Sequence, residues 1–290
     1  MLGIHVGKER GGKKVPMSES LQASIEKIRT YVTRPCAQIF VSGPRSYSET
    51  LTHDDKTAIR KYIDANDIPL VIHGAYIDYP WTKSLQSIRN VMSEMQVARQ
   101  IGATGVIVHL GAGALNDDNF QFALDTIGTL PSDVCDNVTL WLEINTAKSS
   151  PATYETVGKI SRLFERVEQF NNNLTIGLCI DTAHLFSCGK SLDTDQAARA
   201  WIEGLPDVPT MMHLNDSASE LGSGVDKHAS LCSGGIWRDY HPVTGSLPIE
   251  NSGLVYLLGW AESNNIMTIL ERHDDASDDL ALIHQLGFFQ

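Results

Sequence analysis

Short apolar runs recur along this 290-residue chain at a nearly fixed interval, and that interval leaves few folds open. The runs cover residues 2–6, 37–41, 69–73, 105–109, 139–143, 175–181, 210–213 and 266–271, with starts 32 to 36 residues apart that widen only before the last. Each run has the length and the β-branched content of a buried strand. Between them lie segments with helical periodicity. In residues 85–101, for example, Ile88, Val91, Met92, Met95, Val97 and Ala98 fall on one face, and residues 18–31 and 161–170 behave similarly. Eight strand–helix repeats with no Pro/Ser-rich linker predict an α/β fold in which residues 1–290 form one (β/α)₈ TIM barrel. The loops after the first and seventh strands are expected to be the longest.

A barrel of this kind carries its active site at the carboxyl ends of its strands. Nine imidazoles and carboxylates fall at those ends or in the loops just after them: His73, His109, Glu143, Asp181, His184, His213, Asp226, His228 and Glu271. Burying so many polar groups is costly unless something binds them. A cluster of divalent cations is the simplest candidate, and metal-activated water the simplest chemistry. The nearly even mix of nitrogen and oxygen donors favours Zn²⁺ or Mn²⁺ over Mg²⁺, and the absence of cysteine from the set favours catalytic over structural metal. Asp181-x-x-His184 and Asp226-x-His228 are the sharpest local signals, since each aims two donors from one short segment. A lone His73 or His109 would read as a satisfied core histidine; nine donors on one rim do not. His5, His53, His241, His273 and His284 fall outside the set, with His5 expected in a core or hydrogen-bonding role.

Bulk properties narrow the partners. A formal net charge of −12 argues against a nucleic-acid ligand, but residues 1–46 hold eight Lys or Arg against three Glu, a local +5 that leaves −17 on the rest. Lys8, Arg10, Lys13, Lys14 and Arg45 follow the first two strands and would face the same rim. No apolar stretch approaches the roughly 20 residues of a membrane span. Five scattered cysteines with no C-x-x-C pair fit reduced thiols rather than a disulfide framework.

Three blocks carry a family resemblance. Met212-His-Leu-Asn-Asp-Ser, Gly222-Ser-Gly-Val-Asp-Lys-His228 and Gly177-Leu-Cys-Ile-Asp-Thr-Ala-His184 resemble the signatures of the endonuclease IV family. These are apurinic/apyrimidinic endonucleases and 3′-repair diesterases on a xylose-isomerase-like TIM barrel with three zinc ions. The resemblance covers nearly the whole chain. It implies that His73 and His109 hold a first zinc, with Glu143 bridging to a second that Asp181, His213 and Glu271 complete. His184, Asp226 and His228 would hold the third, with Mn²⁺ admissible at one site. It also implies catalytic roles for Glu143 and Glu271. Arg45, Tyr76 and Ile77 would contact DNA, bending it and filling the gap left by a flipped-out abasic nucleotide. The implied reaction is hydrolysis 5′ to an abasic site, leaving a 3′-hydroxyl. The implied setting is base excision repair by a monomer, cytoplasmic or nucleoid-associated, acting on double-stranded DNA with abasic sites or blocked 3′ ends.

Some positions depart from the family pattern. A residue is inserted in Glu143-Ile-Asn145, Lys227 stands where arginine is usual, His109-Leu-Gly replaces a His-Pro-Gly turn, and Cys232-Ser-Gly234 replaces Gly-Glu-Gly. Lys for Arg keeps charge but loses a bidentate fork. The ligand set stays whole. The competing reading is a sugar isomerase or epimerase on the same barrel, binding one ion through Glu143, Asp181, His213 and Glu271. A silent DNA- or metal-binding protein is a third. The isomerase has no use for His73, His109, His184, Asp226 or His228, so the number of ions per chain discriminates.

Overall fold

The computed structural model describes the chain except residues 8, 11–12, 44, 77–78, 83, 112–114, 149–152, 171–172, 273 and 275, with backbone alone for 9–10 and 13–14. Eight parallel strands close into a barrel: β1 (Leu2–Val6), β2 (Pro35–Ile39), β3 (Leu70–His73), β4 (Gly105–His109), β5 (Thr139–Glu143), β6 (Ile176–Asp181), β7 (Thr210–His213) and β8 (Thr268–Leu270). Neighbours in sequence are neighbours in space, and β8 closes on β1. This is the TIM barrel that the recurring apolar runs predict.

Four strands differ from expectation at their ends, β3 and β6 only by starting one residue later. The second strand is Pro35–Ile39, starting earlier than residue 37 and ending before Val41. Proline is tolerated at a strand's first residue, where its missing N–H costs no ladder bond. Val41 leaves the ladder because its carbonyl accepts from Thr50 N (2.8 Å), closing the loop that follows. The eighth strand ends at Leu270, so Glu271 lies just beyond it. The loop after β7 is long, as expected, but the loops after β2 and β5 both exceed the one after β1.

Helices cover the barrel because each presents one apolar stripe to it. In Leu85–Ile101 the residues Ile88, Val91, Met95, Val97, Ala98 and Ile101 are buried, each worth up to about 1.5–3 kcal/mol for a large aliphatic side chain. Side chains at the helix starts satisfy N–H groups that have no intrahelical partner: Thr52 accepts from Asp55 N, Ser84 from Ser87 N and Asn116 from Asn119 N.

Inside the barrel, strand alternation sorts residues into layers. The middle layer is apolar: Cys36, Val71, Ile107, Cys179, Met211 and Ile269. Below it the Trp141 indole lies between Gly105 and Gly177, where a Cβ would come within 2.2 and 2.4 Å of the ring. Each strand's next inward residue, one layer up, is polar: His5, Gln38, His73, His109, Glu143, Asp181 and His213, with Glu271 continuing β8. Register places them at different heights. His5 pairs with Gln38, His109 with Glu143 and Asp181 with His213, whereas Gln38 faces Val71, His73 faces Ile107, Glu143 faces Cys179 and His213 faces Ile269. Four seams thus step by two residues, the stagger of an eight-stranded barrel with shear 8. The polar layer is consequently a staircase around the wall, which brings donors from opposite strands over one another.

Candidate metal centre

Two short elements bring in the donors that are not on strands. Helix Thr182–Ser187 begins where β6 ends, and Asp181 is its cap: Oδ1 accepts from His184 N (2.9 Å) while Oδ2 turns to the barrel axis. The Asp-x-x-His spacing is therefore a helix cap whose spare oxygen and first-turn imidazole point the same way. The pair Asp216–Ser217 and His228–Ala229 is antiparallel, with Ser217 opposite His228, and carries His228 back to the rim.

All nine donors converge. Glu143, fully buried, lies at the centre: its Oε2 is 3.0 Å from both His73 Nε2 and His109 Nε2, and its Oε1 is 3.1 Å from His213 Nδ1. His213 Nδ1 is also 3.1 Å from Glu271 Oε2 and 3.8 Å from Asp181 Oδ2. Asp226 reaches His228 Nε2 (3.2 Å) and His184 Nε2 (3.5 Å), and Asp181 Oδ2 is 3.6 Å from His228 Nε2. Two donors each about 2.1 Å from a tetrahedral ion lie about 3.4 Å apart. The observed separations fit that spacing. Among the described residues four overlapping groups each hold their ligand atoms within 4.8 Å of one another, close enough to share a cation: His73–Glu143–His213, His109–Glu143–His184, Asp181–His184–His228, and Glu143–Asp181–His213–Glu271.

The outward nitrogens supply an independent test. His73 Nδ1 donates to Gly74 O (2.8 Å), His184 Nδ1 to Ile144 O (2.7 Å), His228 Nδ1 to Glu271 O (2.9 Å) and His213 Nε2 to Gln38 Oε1 (2.8 Å). Each of these bonds fixes a tautomer and leaves the other nitrogen's lone pair directed at carboxylates. Neutral imidazoles would then meet carboxylate oxygens lone pair to lone pair, which only protons or cations relieve. Among the described residues His228 Nε2 finds no aligned hydrogen bond despite its burial. These residues fit divalent metal.

Electrostatics agree. Burial opposes the charged form of His228, but Asp181 and Asp226 outweigh it and push its pKa up to about 9. His184 and His213 are raised well above the ordinary imidazole value against the same burial, by Asp181 and Asp226 in one case and by Cys179, Glu271 and Glu143 in the second. Burial likewise opposes the ionised forms of Glu143, Asp226 and Glu271, yet the imidazoles hold all three below the carboxylate range. The site demands positive charge, as protons or as metal.

Beside these donors a cavity of about 360 Å³ opens between Tyr76, Tyr79, His109, Asn145, Thr146, His184, Gly224 and Asp226. Tyr76 is 43% exposed, yet its ring stacks on His109 (centroids 5.1 Å apart, 25° between planes) and lies edge-on to His73 and Phe40. Burial, with the Glu271 and Glu143 charges, raises its pKa. Arg45 is exposed in the turn after β2, and Ile77 lies outside the described residues. A larger cavity, about 730 Å³, sits at the opposite end of the barrel near Trp141 and Pro209 and has no histidine in its lining.

Reading the sequence for charged donors missed the uncharged groups that hold them. Gln38 accepts from His213 and donates to Glu271 Oε1 (2.5 Å) and to His5 Nδ1 (3.0 Å), which gives His5 the hydrogen-bonding role expected of it. Asn215 donates to Asp181 Oδ2 (2.9 Å) and accepts from Glu271 N (2.9 Å), joining two carboxylates through one amide. The available signals were the inward register of Gln38 and the position of Asn215 two residues past His213.

The family described as xylose isomerase-like TIM barrel matches residues 35–286. A probable AP endonuclease of African swine fever virus is 34% identical over 253 residues, covering 84% of this chain and 81% of the relative. A probable endonuclease 4 of Halobacterium salinarum is 31% identical over 214 residues, covering 69% and 75%. Among solved structures, AsfvAP:AG superposes with a TM-score of 0.86 at 29% identity over 99% of this chain and 98% of that one. Endonuclease IV of Thermus thermophilus gives 0.67 at 22%, with 98% of each chain covered, a likeness of fold. Barrel and rim define the class, a metal-dependent enzyme on a xylose isomerase-like TIM barrel. Within it, the chain belongs to the AP endonucleases of the endonuclease IV type, hydrolases of phosphodiester bonds.

Proposed function

We propose that this protein is a zinc-dependent AP endonuclease that hydrolyses the phosphodiester 5′ to an abasic site in double-stranded DNA, leaving a 3′-hydroxyl, and trims blocked 3′ ends at the same centre. His73, His109 and Glu143 would hold one ion; Glu143, Asp181, His213 and Glu271 a second; His184, Asp226 and His228 a third. What carries the reading is the arrangement about Glu143, whose two oxygens meet separate imidazole groups while Asp226, His184 and His228 form a further set beside them. A one-ion sugar isomerase needs only the second set.

Bound divalent metal supplies Lewis-acid charge for a phosphate oxygen and acidifies coordinated water. The protein's own groups account for the rest. Four carboxylates at this rim would repel a phosphodiester by themselves, so the cations they hold reverse the sign of the site. Gln38 and Asn215 keep the donors oriented. Tyr76 and Ile77 act as the wedge in the base stack and Arg45 holds the backbone, while the small cavity admits a sugar without its base. Among the described residues no helix is long and apolar enough to cross a membrane, and all five cysteines are buried and unpaired, in keeping with work on DNA in a reducing compartment such as the cytoplasm or nucleoid.

Elemental analysis beside a nicking assay on abasic duplex, with and without chelator, tests this. Three zincs per chain and chelator-sensitive nicking are expected. One ion and no nicking would move the assignment to the isomerase reading.

A further inference from the structure

Behind the rim, one buried carboxyl joins the roots of two loops. Glu94 belongs to helix Leu85–Ile101 and is only 2% exposed. Its Oε1 accepts from Ser42 Oγ (2.7 Å) and from Ala75 N (3.3 Å). Ser42 opens the loop that carries Arg45, bridging across its base to Glu49, and Ala75 immediately precedes Tyr76. Among the described residues the second oxygen, Oε2, has no aligned hydrogen bond; the Asn90 amide, one turn earlier in the same helix, also favours the ionised carboxyl, and Oε2 packs where Gly74 lacks a side chain, so that a Cβ there would lie 3.1 Å from it and 2.9 Å from Ile107 O. Phe40, beside the first loop's root, meets Tyr76 edge-on (5.4 Å), a second contact between the same two loops.

A glutamate on the helix's apolar face has a clear cost, since burying a carboxyl is unfavourable unless its partners repay it. Here both partners belong to loops proposed to touch DNA, and neither belongs to the metal donors. We infer that Glu94 is a positioning residue that locks the Arg45 loop to the Tyr76 loop, so that contact of one with the duplex sets the position of the other. This rests on the DNA-contact roles proposed above for Arg45 and Tyr76. The link acts through a single oxygen, so removing either hydrogen-bonding side chain loosens it, and glutamine, which keeps that oxygen, preserves it.

The test is a set of double-mutant cycles on abasic-duplex cleavage. In the wild-type background, R45A and Y76A should be non-additive in kcat/KM by at least about threefold. In an S42A or E94M background that coupling should fall below about 1.5-fold, the Phe40–Tyr76 contact carrying what is left, with KM for the abasic duplex raised about tenfold, kcat within about threefold, and metal content unchanged. E94Q should retain both the coupling and the wild-type KM. S42A serves if E94M folds poorly, because it removes one tie without touching the core carboxyl. Coupling that persists undiminished in S42A would overturn the inference, as would a fall in kcat with KM unchanged. Wild-type protein that nicks no abasic duplex would instead refute the proposed function.

Discussion

Replacing Gln38 with leucine should loosen metal without unfolding the protein. The Gln38 amide is the partner of His213 Nε2 at 2.8 Å and of Glu271 Oε1 at 2.5 Å, and both groups belong to the same cluster of candidate metal donors. Leucine fills similar space but supplies neither bond. His213 loses the acceptor that fixes its tautomer, and Glu271 can rotate away. Losing an outer partner of a metal ligand costs about 10–100-fold in affinity, and here two ligands lose theirs at once, so a loss near the upper end, about 2.7 kcal/mol, is expected. The buried imidazole N–H left unpaired costs folding about 1–3 kcal/mol. Against a typical stability of about 5–15 kcal/mol the domain stays folded. For a chain of this length that cost lowers Tm by only about 2–5 °C. The assay is zinc competition against a chromophoric chelator, run beside thermal melts of metal-free protein. One ion should leave roughly 30–100-fold more readily while the others hold. Affinity within threefold of wild type at every site would show that Gln38 does not orient these donors.

Three further outcomes are expected. His228→Ala should remove one metal per chain and lower abasic nicking at least about 100-fold with the circular dichroism unchanged; full activity with the remaining ions would exclude the third site. Tyr76→Ala should cut discrimination between abasic and intact duplex about tenfold at constant metal content, and unchanged selectivity would remove the wedge. Asp279, which accepts from Leu231 N (2.8 Å), has its pKa pushed up to about 6 by burial. Its folded-state value exceeds the unfolded value of about 3.9, so its protonated form stabilises the fold below about pH 4 and that contribution is lost as pH rises through 6. Asp279→Asn keeps the acceptor and should gain about 1–3 kcal/mol over wild type at pH 8, the difference shrinking to nothing near pH 4. Urea melts across that range would refute the account by showing a pH-independent difference.

Much of the barrel could be read along the chain because its causes are local. Alternation within strands and a 3.6-residue period between them follow from where each residue's side chain points, so the eight runs and the buried face of Leu85–Ile101 were legible in advance. So were the nine imidazoles and carboxylates that meet at the rim, since each sits at a strand end or in the loop after it, and Asp181-x-x-His184 is a cap motif in its own right. Other features depend on pairing between distant strands. Which donors face one another is set by the two-residue steps at four seams, and no segment encodes that stagger alone. Gln38 and Asn215 look like any uncharged polar residue until closure places His213, Asp181 and Glu271 beside them. Glu94 falls on the apolar face of its helix, but only the packing of two loops against that helix shows which groups bond it. Local chain geometry dictates what each element is; the non-local register of hydrogen bonds around the closed sheet dictates which groups meet.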